Sequence, residues 1–192
     1  MNVITRHKKF WSLFLLILAW IGVLSFVSPS EIVEMIGVKT GYLIIFITAL
    51  LGISGFASAP FYASLFTLSA SGELNLFFVL LIASPARTVG DILFFTLGHH
   101  GHSVIRDNTF IGKKIKDFSL WLFGKPYWIV LFFSYLYTSA APFPKDFLMI
   151  GLGVGRLKLR DVIIVALLGN ATFIALVYFF AIGVIPDLPM IL

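Results

Sequence analysis

The sequence predicts an all-α integral membrane protein with three spanning helices and two re-entrant helical hairpins. Of its 192 residues, 59% are hydrophobic and 12% are charged, whereas a soluble domain carries about 25% charged residues. Apolar runs recur at the length that crosses a bilayer, about 20 residues. Basic residues are concentrated in only some of the segments between these runs. At this length we expect a single membrane domain, 1–192.

Five apolar stretches can be marked along the chain: 10–28, 42–71, 74–98, 127–155 and 162–185. The first follows a basic N-terminus and lacks a small-residue cleavage site, so it predicts an uncleaved N-terminal transmembrane helix rather than a signal peptide. The stretches 74–98 and 162–185 have the length of single spanning helices.

Stretches 42–71 and 127–155 are too long for one helix, and glycines and prolines interrupt both. Breakers at membrane depth are tolerated only where protein or a wet cavity satisfies the backbone. Each stretch therefore predicts a hairpin that enters the membrane and returns. The interrupting residues are Gly52, Gly55 and Pro60 in the first stretch, and Pro142, Pro144, Gly151, Gly153 and Gly155 in the second.

The distribution of charge supports these hairpins. The N-terminus and segments 99–126 and 156–161 are basic, while 29–41 and the C-terminus are not. Positively charged loops stay in the cytoplasm, and all three basic segments fall there only if the two hairpins enter from opposite sides. This topology places the N-terminus in the cytoplasm. Segment 99–126 is then a basic cytoplasmic segment with an amphipathic pattern that suits an anionic lipid surface.

The two hairpins also share a sequence pattern. Ala59-Pro60-Phe61 precedes Gly72-Glu73-Leu74, and Ala141-Pro142-Phe143 precedes Gly155-Arg156-Leu157. Each hairpin is followed by an apolar helix, which predicts an inverted repeat of residues 42–98 and 127–185. The alternative is that short apolar sequence patterns recur by chance. Inverted repeats with broken helices are typical of transporters whose site lies near the midplane, so we expect Pro60 and Pro142 to line a transport path.

Charged residues inside apolar stretches are candidates for that path, because a charge at the bilayer centre is costly. Lys145 and Asp146 follow Pro144 in the second hairpin, where a cation beside a helix N-terminus suits a phosphate or carboxylate. Alternatively, Lys145 reaches the surface and Asp146 caps the helix. Arg87 and Asp91 lie four residues apart on one helix face. As a pair they would form either a structural clamp between helices or a gate that opens when Asp91 is protonated.

Asn170 is a further candidate for the transport path, or only an interhelical hydrogen-bonding residue.

Other classes of function are not expected. The chain has no cysteine, and the histidines at 99, 100 and 102 lack a carboxylate or thiol framework, so no metal site is predicted. No nucleotide-binding or catalytic motif is present, which predicts neither an enzyme nor a cofactor. The basic residues adjoin apolar spans, so they indicate topology rather than a nucleic-acid partner.

Glycines, prolines and a few polar residues over about 50–183 resemble the DedA (VTT-domain, SNARE-associated) membrane proteins. The resemblance implies two oppositely entering hairpins and a role in lipid transport. Bacterial members of the family are implicated in the return of undecaprenyl phosphate, with coupling to the proton-motive force. Eukaryotic relatives behave as phospholipid scramblases. The matching residues are Gly72, Leu74, Asn75, Gly90, Asp91, Phe95, Gly98 and Gly101, then Pro142, Lys145, Gly151, Gly153, Gly155 and Gly169.

The chain departs from the family pattern at several positions. The family pattern has an acidic residue near the proline of the first hairpin, whereas here Phe61, Tyr62, Ala63 and Ser64 follow Pro60. Ser139 and Lys145 stand at the positions of two family arginines, and His99 stands at that of a third. The last helix usual in the family is absent before Leu192. These differences predict a divergent or minimal member that has no first-hairpin carboxylate for proton coupling.

We therefore expect a flippase or scramblase that moves a phospholipid or polyprenyl phosphate between leaflets, with membrane lipids as its partners. Lys145 would bind the lipid phosphate, while Asp146, Arg87 and Asp91 would order or gate the groove. The alternatives are a small-solute or ion exporter on the same scaffold and a non-transporting membrane assembly factor. The expected location is the bacterial cytoplasmic membrane, and a homo-oligomer is compatible with the sequence.

Overall fold

The computed structural model of the chain describes residues 29–52, 58–101, 117, 121, 124–140 and 145–184, which are helical or connecting and contain no strand. The predicted helix 10–28 and most of the basic segment 99–126 lie outside these residues. The helices are α1 (Pro29–Ile36), α2 (Val38–Leu51), α3 (Ala59–Ala70), α4 (Leu76–Gly101), α5 (Tyr127–Ala140), α6 (Asp146–Val154) and α7 (Leu159–Val184). The prediction of an all-α protein is confirmed for the described residues.

Helices α4 and α7 are long and apolar enough to cross a membrane. Their qualifying parts, Leu76–His100 and Leu159–Gly183, contain 25 residues each, and at 1.5 Å per residue each spans about 37 Å. This exceeds the hydrocarbon thickness of about 30 Å. Large apolar side chains such as Phe77, Leu97 and Phe180 are exposed on these helices, as lipid-facing positions require. The protein therefore has the features of a membrane protein. Its two candidate spans correspond to the predicted stretches 74–98 and 162–185.

Helices α1 and α2 meet at a sharp bend of 100°, and together they have the composition of one further span. Segment 29–41, which the sequence analysis treated as a connection between spans, is thus helical except at Gly37. Gly37 has a φ of 80°, a left-handed conformation that glycine adopts without steric cost. This residue allows the helix direction to change within a single position.

Each interrupted stretch contains two short helices rather than one long one. Helices α2 and α3 have 14 and 12 residues, and α5 and α6 have 14 and 9, all shorter than a spanning helix. Their packing is interleaved. The first of each pair, α2 or α5, packs against the long helix that follows it in sequence, whereas α3 packs against α7 and α6 packs against α4.

Glycines bring the helices into backbone contact. A Cβ added at Gly98 of α4 would lie 2.2 Å from the Ile150 carbonyl oxygen, and one added at Gly153 of α6 would lie 2.1 Å from the Phe95 carbonyl oxygen. Small residues permit this close approach, which replaces the hydrophobic driving force that is missing between helices in lipid.

The buried side chains form two apolar clusters at opposite ends of α4 and α7. One cluster joins Val79 of α4 to Ile174 and Tyr178 of α7. The other joins Phe95 of α4 to Val162 of α7. Early residues of one helix thus share a cluster with late residues of the other, so α4 and α7 are antiparallel. Buried polar residues occupy the region between the two clusters.

Candidate functional site

Four polar residues meet at the middle of α4 and α7, and we call Thr88, Asp91, Lys145 and Asn170 the polar cluster. Thr88 and Asp91 lie on α4, Asn170 lies on α7, and Lys145 immediately precedes α6. Asp91 and Asn170 are each 2% exposed, and Lys145 is 9% exposed. Because α4 and α7 have membrane length and the cluster lies at their midpoints, these groups are at mid-membrane depth if the two helices cross the bilayer.

The hydrogen bonds of the cluster centre on one carboxylate oxygen. The Lys145 ammonium donates to Asp91 Oδ2 at 2.7 Å and to Asn170 Oδ1 at 2.6 Å. The Asn170 amide nitrogen donates to the same Asp91 Oδ2 at 2.8 Å and to Thr88 Oγ1 at 3.2 Å. The Thr88 hydroxyl in turn donates to the Ser84 carbonyl at 2.8 Å. The cluster therefore ties α4, α7 and the start of α6 together.

The local helix geometry explains which groups can meet. Thr88 and Asp91 are three residues apart on α4, so both face α7 and α6. Lys145 is the N-cap residue of α6, with no side-chain cap bond of its own. Its side chain is therefore available to reach across to α4. The ammonium is buried within the protein, which is the opposite of the surface-reaching conformation weighed as an alternative for Lys145.

Asp91 pairs with Lys145 and not with Arg87, the residue that the spacing of four had suggested as its neighbour. Lys145 with Asp91 is the salt bridge found among the described residues. Arg87 instead lies against the first turn of α3. Its Cζ atom is 4.6 Å from the centre of the Phe61 ring and 5.3 Å from that of the Tyr62 ring. An i, i+4 spacing places two side chains on the same side of a helix, but it does not decide where each side chain is directed. Here Arg87 is directed to α3 and Asp91 to Lys145.

The remaining predicted residues are not drawn into this cluster. Pro60 is in the first turn of α3 and exposed, where a missing backbone donor costs nothing. Asp146 is in the first turn of α6 and partly exposed, where a carboxylate is favourable to the helix dipole. Pro142 and Pro144 lie outside the described residues, so the expected place of Pro142 in a transport path stays a prediction.

The histidines at the end of α4 do not assemble a metal site in the part of the chain that the structure describes, where no group of three or more possible ligands is found. His99 and His100 are exposed. The ring of His99 stacks on Phe95 at 5.9 Å between centres, and His100 Nδ1 lies 3.0 Å from the Thr96 carbonyl oxygen. His102 lies outside the described residues.

Sequence reasoning missed Thr88 and the aromatic pair Phe61 and Tyr62. A signal for Thr88 was present, since it is one helical turn before Asp91 and shares its face. No comparable signal marks the aromatic pair, because the chain has 21 phenylalanines and most neighbouring positions are apolar as well. Only the tertiary contacts of α3, with Arg87 of α4 and with helix α7, distinguish these two rings from the others.

Comparisons of the chain with known protein families, with curated proteins and with solved structures found no match.

Proposed function

We propose that the protein is a membrane lipid transporter, a flippase or scramblase that moves a phospholipid or polyprenyl phosphate between leaflets. The observation that carries this proposal is the buried charged cluster at the midpoints of two membrane-length helices. A charged side chain at the bilayer centre costs about 2.5–3.5 kcal/mol on insertion scales, and such residues usually mark a substrate or ion pathway. A clamp that served stability alone would be built more cheaply from apolar side chains.

We also propose that residues 42–98 and 127–185 form an inverted repeat of a re-entrant hairpin and a spanning helix. The antiparallel arrangement of α4 and α7 supports this proposal, as does the interleaved packing of the short helices. Arg87 and Asn170 lie equally far after Gly72 and Gly155, the shared landmarks. Arg87 contacts Tyr62 in the first turn of α3 at 3.4 Å, and Asn170 contacts Lys145, immediately before α6, at 2.6 Å. Each residue thus reaches the start of the second short helix of its own repeat.

This architecture is what the DedA resemblance implies, and we propose a divergent member of that family. A bacterial cytoplasmic membrane with the N-terminus inside is part of the same proposal, because it places every basic segment in the cytoplasm. The polar cluster then lies where the two repeats meet, the usual position of a transport site in inverted repeats.

In this mechanism the Lys145–Asp91 pair is a gate. It ties the start of α6 to α4, and Asn170 extends the tie to α7. A path between α4, α6 and α7 can open only when these bonds break. Protonation of Asp91 would remove the charge that holds Lys145, which gives the gate a means of release.

Reconstituted vesicles test the proposed lipid transport and the proposed gate formed by Lys145 and Asp91. Lipid movement is followed with a phosphatidylethanolamine whose headgroup carries a fluorophore that external dithionite reduces. We expect the protein to accelerate loss of the inner-leaflet signal relative to empty vesicles. The double substitution Lys145→Met with Asp91→Asn removes the tie without leaving a buried charge, and should increase the rate several-fold. Lys158→Met, at an exposed lysine, is the matched control and should not change it.

Two results would count against the proposal in different ways. If the wild-type protein transports no faster than empty vesicles, lipid transport is wrong. If the wild type transports lipid but the double substitution leaves the rate unchanged, the gate is wrong and transport stands.

A further inference from the structure

Arg87 is a buried cation that forms no ion pair with an acidic side chain among the described residues. Its side chain is 6% exposed, and its Nε and Nη1 atoms have no hydrogen-bond partner among the described residues. Its third nitrogen, Nη2, donates to the Tyr62 hydroxyl at a long 3.4 Å. Nε carries one N–H and Nη1 carries two, so three charged donors are open. Buried polar groups are normally satisfied, and an exception in a native structure requires an explanation.

The neighbouring charges do not supply that explanation. Asp91, the acidic residue nearest to Arg87 in sequence, is already paired with Lys145 at 2.7 Å, and Asp146 in the first turn of α6 is partly exposed. Residues 53–57 and 141–144, which adjoin the short helices in sequence, contain no acidic residue. A buried charge without compensation is strongly unfavourable, so an anion from outside the chain would remove an existing penalty.

The surroundings of Arg87 hold its guanidinium in place. Phe61 and Tyr62 lie 4.6 and 5.3 Å from its Cζ atom, within the distance at which aromatic rings attract a cation. A Cβ added at Gly52, just after the end of α2, would lie 3.6 Å from Nη1. Ser84, one helical turn earlier on α4, also has a buried hydroxyl without a partner among the residues described. Arg87 therefore lies beside the residue that ends α2 and the first turn of α3.

We propose that Arg87 binds the anionic group of the transported molecule, a phosphate or a carboxylate. The planar guanidinium presents fixed donors that match the oxygens of either group. Lys145, the residue that the sequence favours for this role, has its ammonium committed to Asp91 and Asn170. This inference rests on the proposed transport function, and assigns anion binding to the first repeat while the gate belongs to the second.

Thermal unfolding of the full-length protein in a neutral detergent tests the assignment with two probes, dodecyl phosphate and inorganic phosphate. Arg87→Met keeps a long apolar side chain and removes the charge. Arg160→Met makes the same change at an exposed arginine. We expect dodecyl phosphate to raise the Tm of the wild type and of Arg160→Met. For Arg87→Met we expect at least a tenfold weaker apparent affinity, and a Tm without ligand no lower than that of the wild type.

The two readouts separate a binding residue from a structural one. A structural arginine would lower the ligand-free Tm when replaced, and an anion-binding arginine whose charge is unpaired in the free protein would not. A lipid as the source of the anion predicts stabilisation by dodecyl phosphate alone, whereas a free anion predicts stabilisation by inorganic phosphate as well. The assignment is overturned if neither probe stabilises the wild type, if Arg87→Met binds dodecyl phosphate as the wild type does, or if it unfolds much earlier without ligand.

The same variants in the vesicle assay distinguish this inference from the proposed function. Transport that persists in Arg87→Met overturns anion binding by Arg87 and leaves lipid transport intact. Binding of dodecyl phosphate at Arg87 by a protein that moves no lipid leaves the site intact and overturns lipid transport.

Discussion

Loss of one partner from the Lys145–Asp91 pair should destabilise the protein more than loss of both. Lys145→Met leaves a carboxylate that is 2% exposed and retains the Asn170 amide at 2.8 Å as its donor in the cluster. Asp91→Asn leaves the ammonium with the Asn170 carbonyl oxygen at 2.6 Å and without its salt-bridge partner. Each single variant thus contains an uncompensated charge at the middle of α4 and α7.

The expected magnitudes follow from these contacts. Breaking a buried ion pair by removing one partner costs about 3–5 kcal/mol, whereas replacing both partners with neutral groups is often close to neutral. The double variant retains Asn170 and Thr88 beside a neutral amide and an apolar side chain of similar length. We therefore expect it to be more stable than Lys145→Met alone, with a coupling free energy of at least about 2 kcal/mol, within the range known for contacting residues.

Equilibrium unfolding of the detergent-solubilised protein measures this coupling. Sodium dodecyl sulfate is titrated in, helix content is followed by far-UV circular dichroism, and the free energies of the four proteins are combined in a double-mutant cycle. Lys158→Met with Glu73→Gln, both at exposed positions, forms the control cycle and should be additive. If the unfolding free-energy changes of Lys145→Met and Asp91→Asn add to within about 0.5 kcal/mol of the change in the double variant, the two residues do not stabilise each other as a buried ion pair, and the reasoning is refuted.

Two further predictions concern helix packing. Gly98→Ala should lower stability by about 1–3 kcal/mol, the range for overpacking, because its Cβ would lie 2.2 Å from a backbone oxygen of α6. Gly183→Ala, with no atom within 4 Å of its Cβ, should leave the Tm equal or higher, and equal losses in both variants would contradict the packing argument. Tyr178→Phe removes the hydroxyl that donates to the Leu74 carbonyl and should cost about 1–3 kcal/mol. Thermal melts in detergent measure this loss, and a Tm within error of the wild type would show that the bond contributes nothing.

Much of the fold could be predicted because its determinants are local. A run of apolar residues with few charges specifies a spanning helix whatever its neighbours are, and α4 and α7 lie where the hydropathy pattern predicted them. The division of 42–71 and 127–155 into shorter helices is also local, since glycine and proline act on their own backbone. The prediction was wrong for Gly151 and Gly153, which lie within α6 and do not interrupt it. The helix in 29–36 was missed because Pro29 and two glutamates make that segment resemble a connection.

The partners of the charged residues could not be predicted in the same way. Arg87 and Asp91 are neighbours on one helix, but Asp91 contacts Lys145, which is 54 positions away in the chain, and Arg87 contacts aromatic rings of α3. Sequence spacing identifies which residues share a helix face. It contains no information about which face of another helix is brought against it.

The sequence by itself determined that the chain is an apolar helical protein with a few charges inside its apolar stretches. Hydrophobic transfer depends on composition and length, and both are written in the order of residues. Only the tertiary structure decided that Asp91 pairs with Lys145 and that Arg87 forms no ion pair among the described residues, because electrostatic compensation depends on distances between helices. That decision moves the expected anion contact from Lys145 to Arg87.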